Sequence, residues 1–406
     1  MIRGGAALLM LAVACVIAVP VAAMAQAQQP DPWEQARFRT GPLAFTPIFH
    51  LTTLGWDSNV FNQVNDPKGD FTARGDVTAD WWLRGGDVRV HGINKFEGVY
   101  FAKYDTERAF NHYNDLTVEY RLNRLRPYAS GGYRRIKDRP GYEIDARARH
   151  TETAFRGGLV ARLTAKSSLD LSGGQTTYRF DGDQAFEGTS LAEQLNRKNT
   201  SGSAAFRYAL TPLTTVSVTG GYDEERFDDA PIRDNKSFRI VPGVSFDPVA
   251  LLKGSAQVGY VKFDMLSPEV PDYSGIVANV NLAYVLMART RFTVGVRRDI
   301  DYSFERTSPY YVLTDLNAAV RQALGRGWDF EVRGSRQKLA YRTVTGAVAT
   351  AVGRVDRIDS YGGGIGYTLG EGVRLAFNVN QYQRKSDVGG YNYDALRYGI
   401  AATYEF

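Results

Sequence analysis

The stretch Arg397-Tyr-Gly-Ile-Ala-Ala-Thr-Tyr-Glu-Phe406 decides how the rest of the chain is read. Tyr398, Ile400, Ala402, Tyr404 and Phe406 share one parity, and Arg397, Gly399, Ala401, Thr403 and Glu405 the other. Side chains alternate across a strand, so this is a strand with one face in an apolar medium and the other in a wet one. In a soluble protein the same pattern means a half-buried strand and nothing more. What adds information is the ending on an aromatic residue at the apolar parity.

The other end of the chain supplies a second clue. A short segment bearing Arg3 precedes the nearly unbroken apolar run Ala6 to Val21, and small residues follow as Ala23-Met24-Ala25 and Ala25-Gln26-Ala27. This is the layout of a secretory signal peptide, residues 1–25 with an alternative cleavage after 27, too short and too Ala-rich for an anchor. The sole cysteine, Cys15, lies inside that run. Lipidation at Cys15 would fit poorly, because Ala12-Val13-Ala14 departs from the Leu-rich lipoprotein pattern and Val16 to Val21 would then open the mature chain. Neither disulfides nor cysteine chemistry is expected. For a secreted chain, Tyr398, Ile400, Tyr404 and Phe406 resemble the carboxy-terminal assembly signal of Gram-negative outer-membrane barrels.

Composition narrows the class further. Of 406 residues, 44% are hydrophobic and 12% aromatic. After the signal no stretch approaches the roughly 18 apolar residues of a spanning helix. The 24 Tyr, 21 Phe and 41 Gly favour a barrel, with aromatics at the interfaces and glycine in curved strands. The formal charge of +5 is evenly spread and does not suggest a nucleic-acid partner.

Alternation recurs along the mature chain. After a polar lead-in, 26–42, a first strand runs from Leu43 to Trp56. Phe71, Ala73, Gly75, Val77, Ala79, Trp81 and Leu83 then alternate with Thr72, Arg74, Asp76, Thr78, Asp80 and Arg84. A turn at Gly85-Gly86-Asp87 leads into Val88, Val90, Phe96 and Tyr100 against Arg89, His91, Lys95 and Glu97, a hairpin charged on the polar face of both arms. The rhythm predicts an all-β, antiparallel, up-and-down transmembrane barrel over 43–406, of about 18 strands within a range of 16–18. Short links such as 85–87, 164–166, 287–289 and 325–327 alternate with long polar ones such as 62–69, 105–112, 138–145, 181–196 and 342–353. Short turns are expected in the periplasm together with both termini, and long loops outside the cell. Trp81, Tyr120, Tyr208, Phe246, Tyr284, Trp328, Tyr367 and Tyr404 lie beside the short turns, where an aromatic girdle is expected.

The segment Gly55-Trp56-Asp57-Ser58-Asn59-Val60-Phe61 resembles the Gly-x-Asp-(Asp/Ser)-Asn-(Val/Ile)-(Phe/Tyr) stretch of the Putative beta-barrel porin 2 family. The resemblance rests on Gly55, Asp57, Asn59, Val60 and Phe61. It implies an outer-membrane barrel of the kind encoded with exopolysaccharide or capsule genes. It further implies a part in exporting such a polymer, with periplasmic export components as partners beside membrane lipid and the barrel-assembly machinery. The plainer account is that Asp57 and Asn59 end a strand, as Asp and Asn commonly do.

Catalytic and metal signatures are not found. His50, His91, His112 and His150 have no ligand spacing, and no Gly-x-Ser-x-Gly occurs. Gly362-Gly363-Gly364-Ile365-Gly366 lies in an alternating strand and reads as curvature rather than a phosphate loop. No enzyme activity and no cofactor are expected; a surface protease or lipase barrel is the alternative from another class. Parity places Arg74, Arg84, Arg89, Lys95, Arg121, Arg156, Arg162, Arg207, Arg239, Arg297, Arg333, Arg374 and Arg397 toward the lumen, thirteen cations against the eight anions Asp76, Asp80, Glu97, Asp115, Glu119, Asp329, Glu331 and Glu405. Such a lining would favour anions, or would merely form structural ion-pair ladders. The expected function is a passive conduit, for a surface polysaccharide or, alternatively, for small or anionic solutes. The loop Asp181 to Asn196 is the longest candidate to fold inward and narrow it.

Overall fold

The computed structural model describes residues 32–346, 353–370, 372–388 and 390–405. The expected signal peptide with Cys15, the lead-in as far as residue 31, and Phe406 lie outside these. Among the described residues no helix is long and apolar enough to cross a membrane, and the chain is built from strands.

Eighteen long strands follow one another: β1 Leu43–Asp57, β2 Asp70–Gly85, β3 Val88–Phe101, β4 Ala109–Tyr120, β5 Leu125–Asp138, β6 Ala148–Arg162, β7 Ser167–Phe180, β8 Arg197–Thr211, β9 Thr214–Phe227, β10 Asn235–Phe246, β11 Leu252–Met265, β12 Tyr273–Leu286, β13 Thr290–Tyr302, β14 Tyr310–Gly325, β15 Trp328–Arg342, β16 Val355–Leu369, β17 Val373–Ser386 and β18 Tyr393–Glu405. Each pairs antiparallel with its predecessor, and β18 pairs with β1 from Ile48 opposite Glu405 to Asp57 opposite Arg397. The sheet therefore has no free edge. A three-residue strand, Phe38–Thr40, folds back on the start of β1 and stacks Phe38 on Phe45.

Alternation gives the two faces opposite characters. Phe110, Phe155, Phe238, Ile276 and Tyr361 stand exposed on the outer parity. Neighbouring strands add cross-strand aromatic pairs there, Trp328 with Tyr367 and Phe49 with Tyr404 across the closure. The inner parity carries ion pairs, some of which skip over intervening strands: Arg239 on β10 meets Asp299 on β13.

Short connections and long ones occupy opposite rims. The short rim also receives the start of β1 and the end of β18. Besides shifts of one or two residues at strand ends, two differences from the sequence reading bear on the loops. The fourth strand, β4, begins at Ala109, so His112 is in the strand and the preceding loop is 102–108. Residues 303–309 form a long connection that the alternation concealed, because Ile300, Tyr302 and Phe304 continue the apolar parity past the end of β13.

At the closure, backbones approach too closely for side chains. A Cβ on Gly55 would collide with the Tyr398 carbonyl, and one on Gly399 would lie 2.7 Å from the Leu54 oxygen. Gly55→Ala is expected to lower the folded, heat-modifiable fraction seen on unheated gels, whereas Gly98→Ala, where a Cβ meets nothing within 4 Å, leaves it unchanged.

Candidate functional site

The described residues of the nine long loops knit into one lid over the mouth of the barrel. The organising segment is the β5–β6 loop, residues 139–147, which reaches the far wall. Glu143 accepts hydrogen bonds from Ser303 Oγ at 3.0 Å and Phe304 N at 2.7 Å, eight strands away around the barrel. Asp145 meets Arg384 of β17 at 3.2 Å and accepts from Asn62 Nδ2 at 2.6 Å. Arg139 donates to the Val60 carbonyl at 2.6 Å, and Arg147 pairs with Glu107 at 3.1 Å.

Other loops join this crossing. Arg233 donates to the carbonyls of Ser303 and Phe304 and to Gln194. The Tyr391 hydroxyl lies 3.1 Å from Glu187 and 3.0 Å from Glu305. Val344 N and Thr345 N donate to Thr307 and Glu269. The expected inward loop, 181–196, does contribute: its Leu191 and Leu195 are fully buried with Ile144 and Phe304. Yet the segment that spans the mouth is 139–147, the shorter link expected at 138–145.

A charge lattice anchors the crossing to the wall. Asp356 on β16 is fully buried and receives Arg354 at 2.8 Å, Arg384 at 2.7 Å and the Ser386 hydroxyl. Arg354 also stacks on Tyr341 and Tyr391. Beneath it an apolar seat forms from Tyr311, Leu313, Leu339, Tyr341 and Ile358, against which Tyr142 packs. Leu313, Leu339 and Ile358 lie on the inner parity, where a water-filled barrel would carry polar residues. Apolar residues on the wrong parity of three consecutive strands were the available signal that something folds in against them. Burial pushes the Glu143 carboxyl up to about 7, against the opposing pull of Phe304 N, Arg354 and Ser303.

The motif residues serve the closure and the crossing together. Asp57 pairs with Arg397 of β18 at 2.9 Å. Its Oδ1 caps Asn59 N, and the Asn59 amide donates to the carbonyls of Gln63 and Asp394. Val60 is fully buried, while Phe61 packs edge-on against Tyr104. Of the expected assembly-signal residues, Tyr398 and Ile400 are exposed on the outer face of β18, and Tyr404 packs beside Phe49.

Below the lid lies a polar cavity of about 450 Å³, bordered by Thr52, Thr53, Arg74, Arg333, Arg374 and Arg397 among others. The cations picked out by parity divide into three groups, with Arg156 apart. Arg333, Arg374, Arg397 and Arg74 meet at this chamber. Lys95 joins Asp76 and Glu97, Arg207 pairs with Asp170, Arg239 with Asp223 and Asp299, and Arg297 with Asp301 along the wall. Toward the short rim, Arg84 stacks on Trp33, Arg89 donates to Gly86, Arg121 pairs with Glu119 and Arg162 donates to the Asn123 carbonyl. Arg156 is exposed on β6. Among the described residues no group of three or more His, Cys, Asp or Glu is placed to hold a metal ion.

A closed barrel of 18 strands with a polar interior defines the class: an outer-membrane porin-like protein. The model of the family described as Putative beta-barrel porin 2 matches residues 31–406, and the chain belongs to that family. Three solved structures are similar to this chain. OccK2 (OpdF) of Pseudomonas aeruginosa, in complex with glucuronate, has 11% identity and a TM-score of 0.50 over 89% of this chain and 98% of its own. OpdK of the same organism has 10% identity and a TM-score of 0.48 over 90% and 98%. A BenF-like porin from Pseudomonas fluorescens Pf-5 has 12% identity and a TM-score of 0.49 over 89% and 99%. No curated protein matches the sequence. The protein resides in the outer membrane of a Gram-negative cell.

Removing one partner from a buried charge lattice leaves the others uncompensated, at a cost of about 3–5 kcal/mol. Asp356→Ala is therefore expected to speed amide hydrogen exchange across 139–147 while the heat-modifiable barrel persists. Unchanged exchange in that loop would show that the lattice does not hold the crossing.

Proposed function

We propose that this protein is a loop-constricted diffusion porin for small hydrophilic solutes, with the interlocked loops at the outer face and the short turns in the periplasm. The observation that carries this reading is the 139–147 crossing. A segment bonded to opposite walls of the barrel restricts the mouth to small molecules and leaves a polar chamber below it. Passage is physical: the inner face hydrates the solute, and no covalent step is involved. The family to which the chain belongs is described as a porin family, which supports this reading.

Export of a surface polysaccharide, the role that the family resemblance implies, is the second reading. It requires a state in which the crossing has left the lumen, through contact with a periplasmic export component or with the polymer itself. Barrel assembly would use the machinery that recognises the β18 pattern.

Two outcomes are expected in planar bilayers. Replacing 140–146 by a short Gly-Ser link should raise single-channel conductance several-fold; no change would remove the crossing from the conduction path. The second concerns pH. A released loop exposes Glu143 at its ordinary value of 4.5, whereas the docked loop holds it at about 7. The docked state thus binds the proton more tightly, so docking gains stability as pH falls through 7 toward 4.5 and loses it as pH rises through that window. The groups around Glu143 include Arg354, Glu305, Arg233, Tyr311 and Tyr341, with the Arg384 guanidinium on its backbone carbonyl. Open-state flicker should increase between pH 5 and 7.5 and become flat in Glu143→Gln, whose amide can accept from Phe304 N and donate to Ser303.

A further inference from the structure

The glycine run on β16 has a spatial role. Gly362, Gly364 and Gly366 sit on the inner parity with no positive φ, so their backbone conformation is open to any residue. A Cβ at Gly362 would collide with Asn380 Oδ1, one at Gly364 with Asn378 Oδ1, and one at Gly366 with the Arg374 guanidinium. The glycines form a floor that lets side chains of β17 lie across β16 and reach β15.

What is built on that floor is a row of guanidinium groups with more positive than negative charge. Arg374 holds Asp329 at 2.6 Å, Arg321 holds Glu331 at 2.6 Å, and Arg333 shares Glu331 at 2.9 Å. Three cations thus share two carboxylates. The carboxylates lie behind, with side chains 11% and 15% exposed, while Arg321, Arg333 and Arg374 stand in front at 40%, 31% and 25%. The remaining donors of Arg333 go to neutral oxygens, Asn380 Oδ1 at 2.7 Å and Asn378 Oδ1 at 3.2 Å. A neutral amide is a weaker acceptor for a guanidinium than a carboxylate is. An incoming carboxylate can therefore displace it. Purely structural pairing requires neither the surplus cation nor its placement on the open side.

We infer that the Arg321–Arg333–Arg374 row above the β16 glycine floor is a binding platform for a small polyhydroxylated carboxylate of hexuronate size. The carboxylate takes the fork of Arg333, and hydroxyl groups find Asn378, Asn380 and, across the chamber, Thr52, Thr53 and Thr72, all bordering the same cavity of about 450 Å³. This rests on the proposed porin reading, since the chamber must be reached from solution, but its test does not need conduction.

The test is isothermal titration calorimetry of the full-length, detergent-refolded protein with sodium D-galacturonate and with D-galactose, its uncharged counterpart, at low ionic strength. Galacturonate is expected to give saturable binding that weakens as chloride is raised, and galactose none at the same concentration. Arg333→Met should weaken binding at least about tenfold, since a charge-assisted, paired contact is lost. Asn378→Asp gives Arg333 a carboxylate partner of its own and a negative charge on the open side, so it should abolish binding in a fully heat-modifiable barrel. Gly364→Ala should do likewise by displacing Asn378. Equal binding of the two sugars, no binding of galacturonate, or undiminished binding by Asn378→Asp would overturn the platform. A protein that binds galacturonate but shows no conductance would instead overturn the porin reading and leave the platform standing.

Discussion

Backbone N–H and C=O groups have no water to bond with inside hydrocarbon, so a sheet can occupy it only if its last strand returns to its first. Every other feature of this protein follows from that closure. It explains why Gly55 faces Gly399 where β1 and β18 come close, and why the Asp57–Arg397 pair and the Asn59 amide bonds sit beside the junction. A motif that could have been a recognition site is foremost a clasp. It ties the two ends of the chain together and, through Val60 and Asn62, holds the loop that crosses the mouth.

Closing 18 strands creates an interior too wide for the wall's own side chains to fill. The chain answers by turning its loops inward and satisfying them on one another. Buried charges are costly unless partners meet them, and at the mouth they do: Asp356 with Arg354 and Arg384, Glu143 with Ser303 and Phe304. The result is a two-zone lumen. The loop end is densely packed around the crossing and its apolar seat, and the middle keeps a polar chamber whose cations lie in front of their carboxylates.

Much of the wall was legible in the chain. The alternation of Phe71 to Leu83 against Thr72 to Arg84 corresponds to β2, and the spacing of turns accounts for the strand number to within the stated range. Two of the features that escaped it show why. The 303–309 connection was hidden because Tyr302 and Phe304 keep the strand rhythm, although both are loop-end residues that pack against other loops. The β16 glycines suggested curvature, whereas their contacts show that they make room for Arg374, Asn378 and Asn380. A glycine reads the same in sequence whether it serves bending or clearance; only the neighbour above it tells them apart.

The sequence by itself determined the barrel, because period-two alternation is a local property that each strand carries within its own dozen or so residues. It likewise determined which parity is charged. What only the tertiary structure decided is where those charges go and what stands between them and the solvent. Glu143 and Ser303 are 160 positions apart, and Asp145 and Arg384 are 239 apart. No local pattern encodes a contact made across the diameter of a closed sheet, since its partners become neighbours only once β18 has found β1.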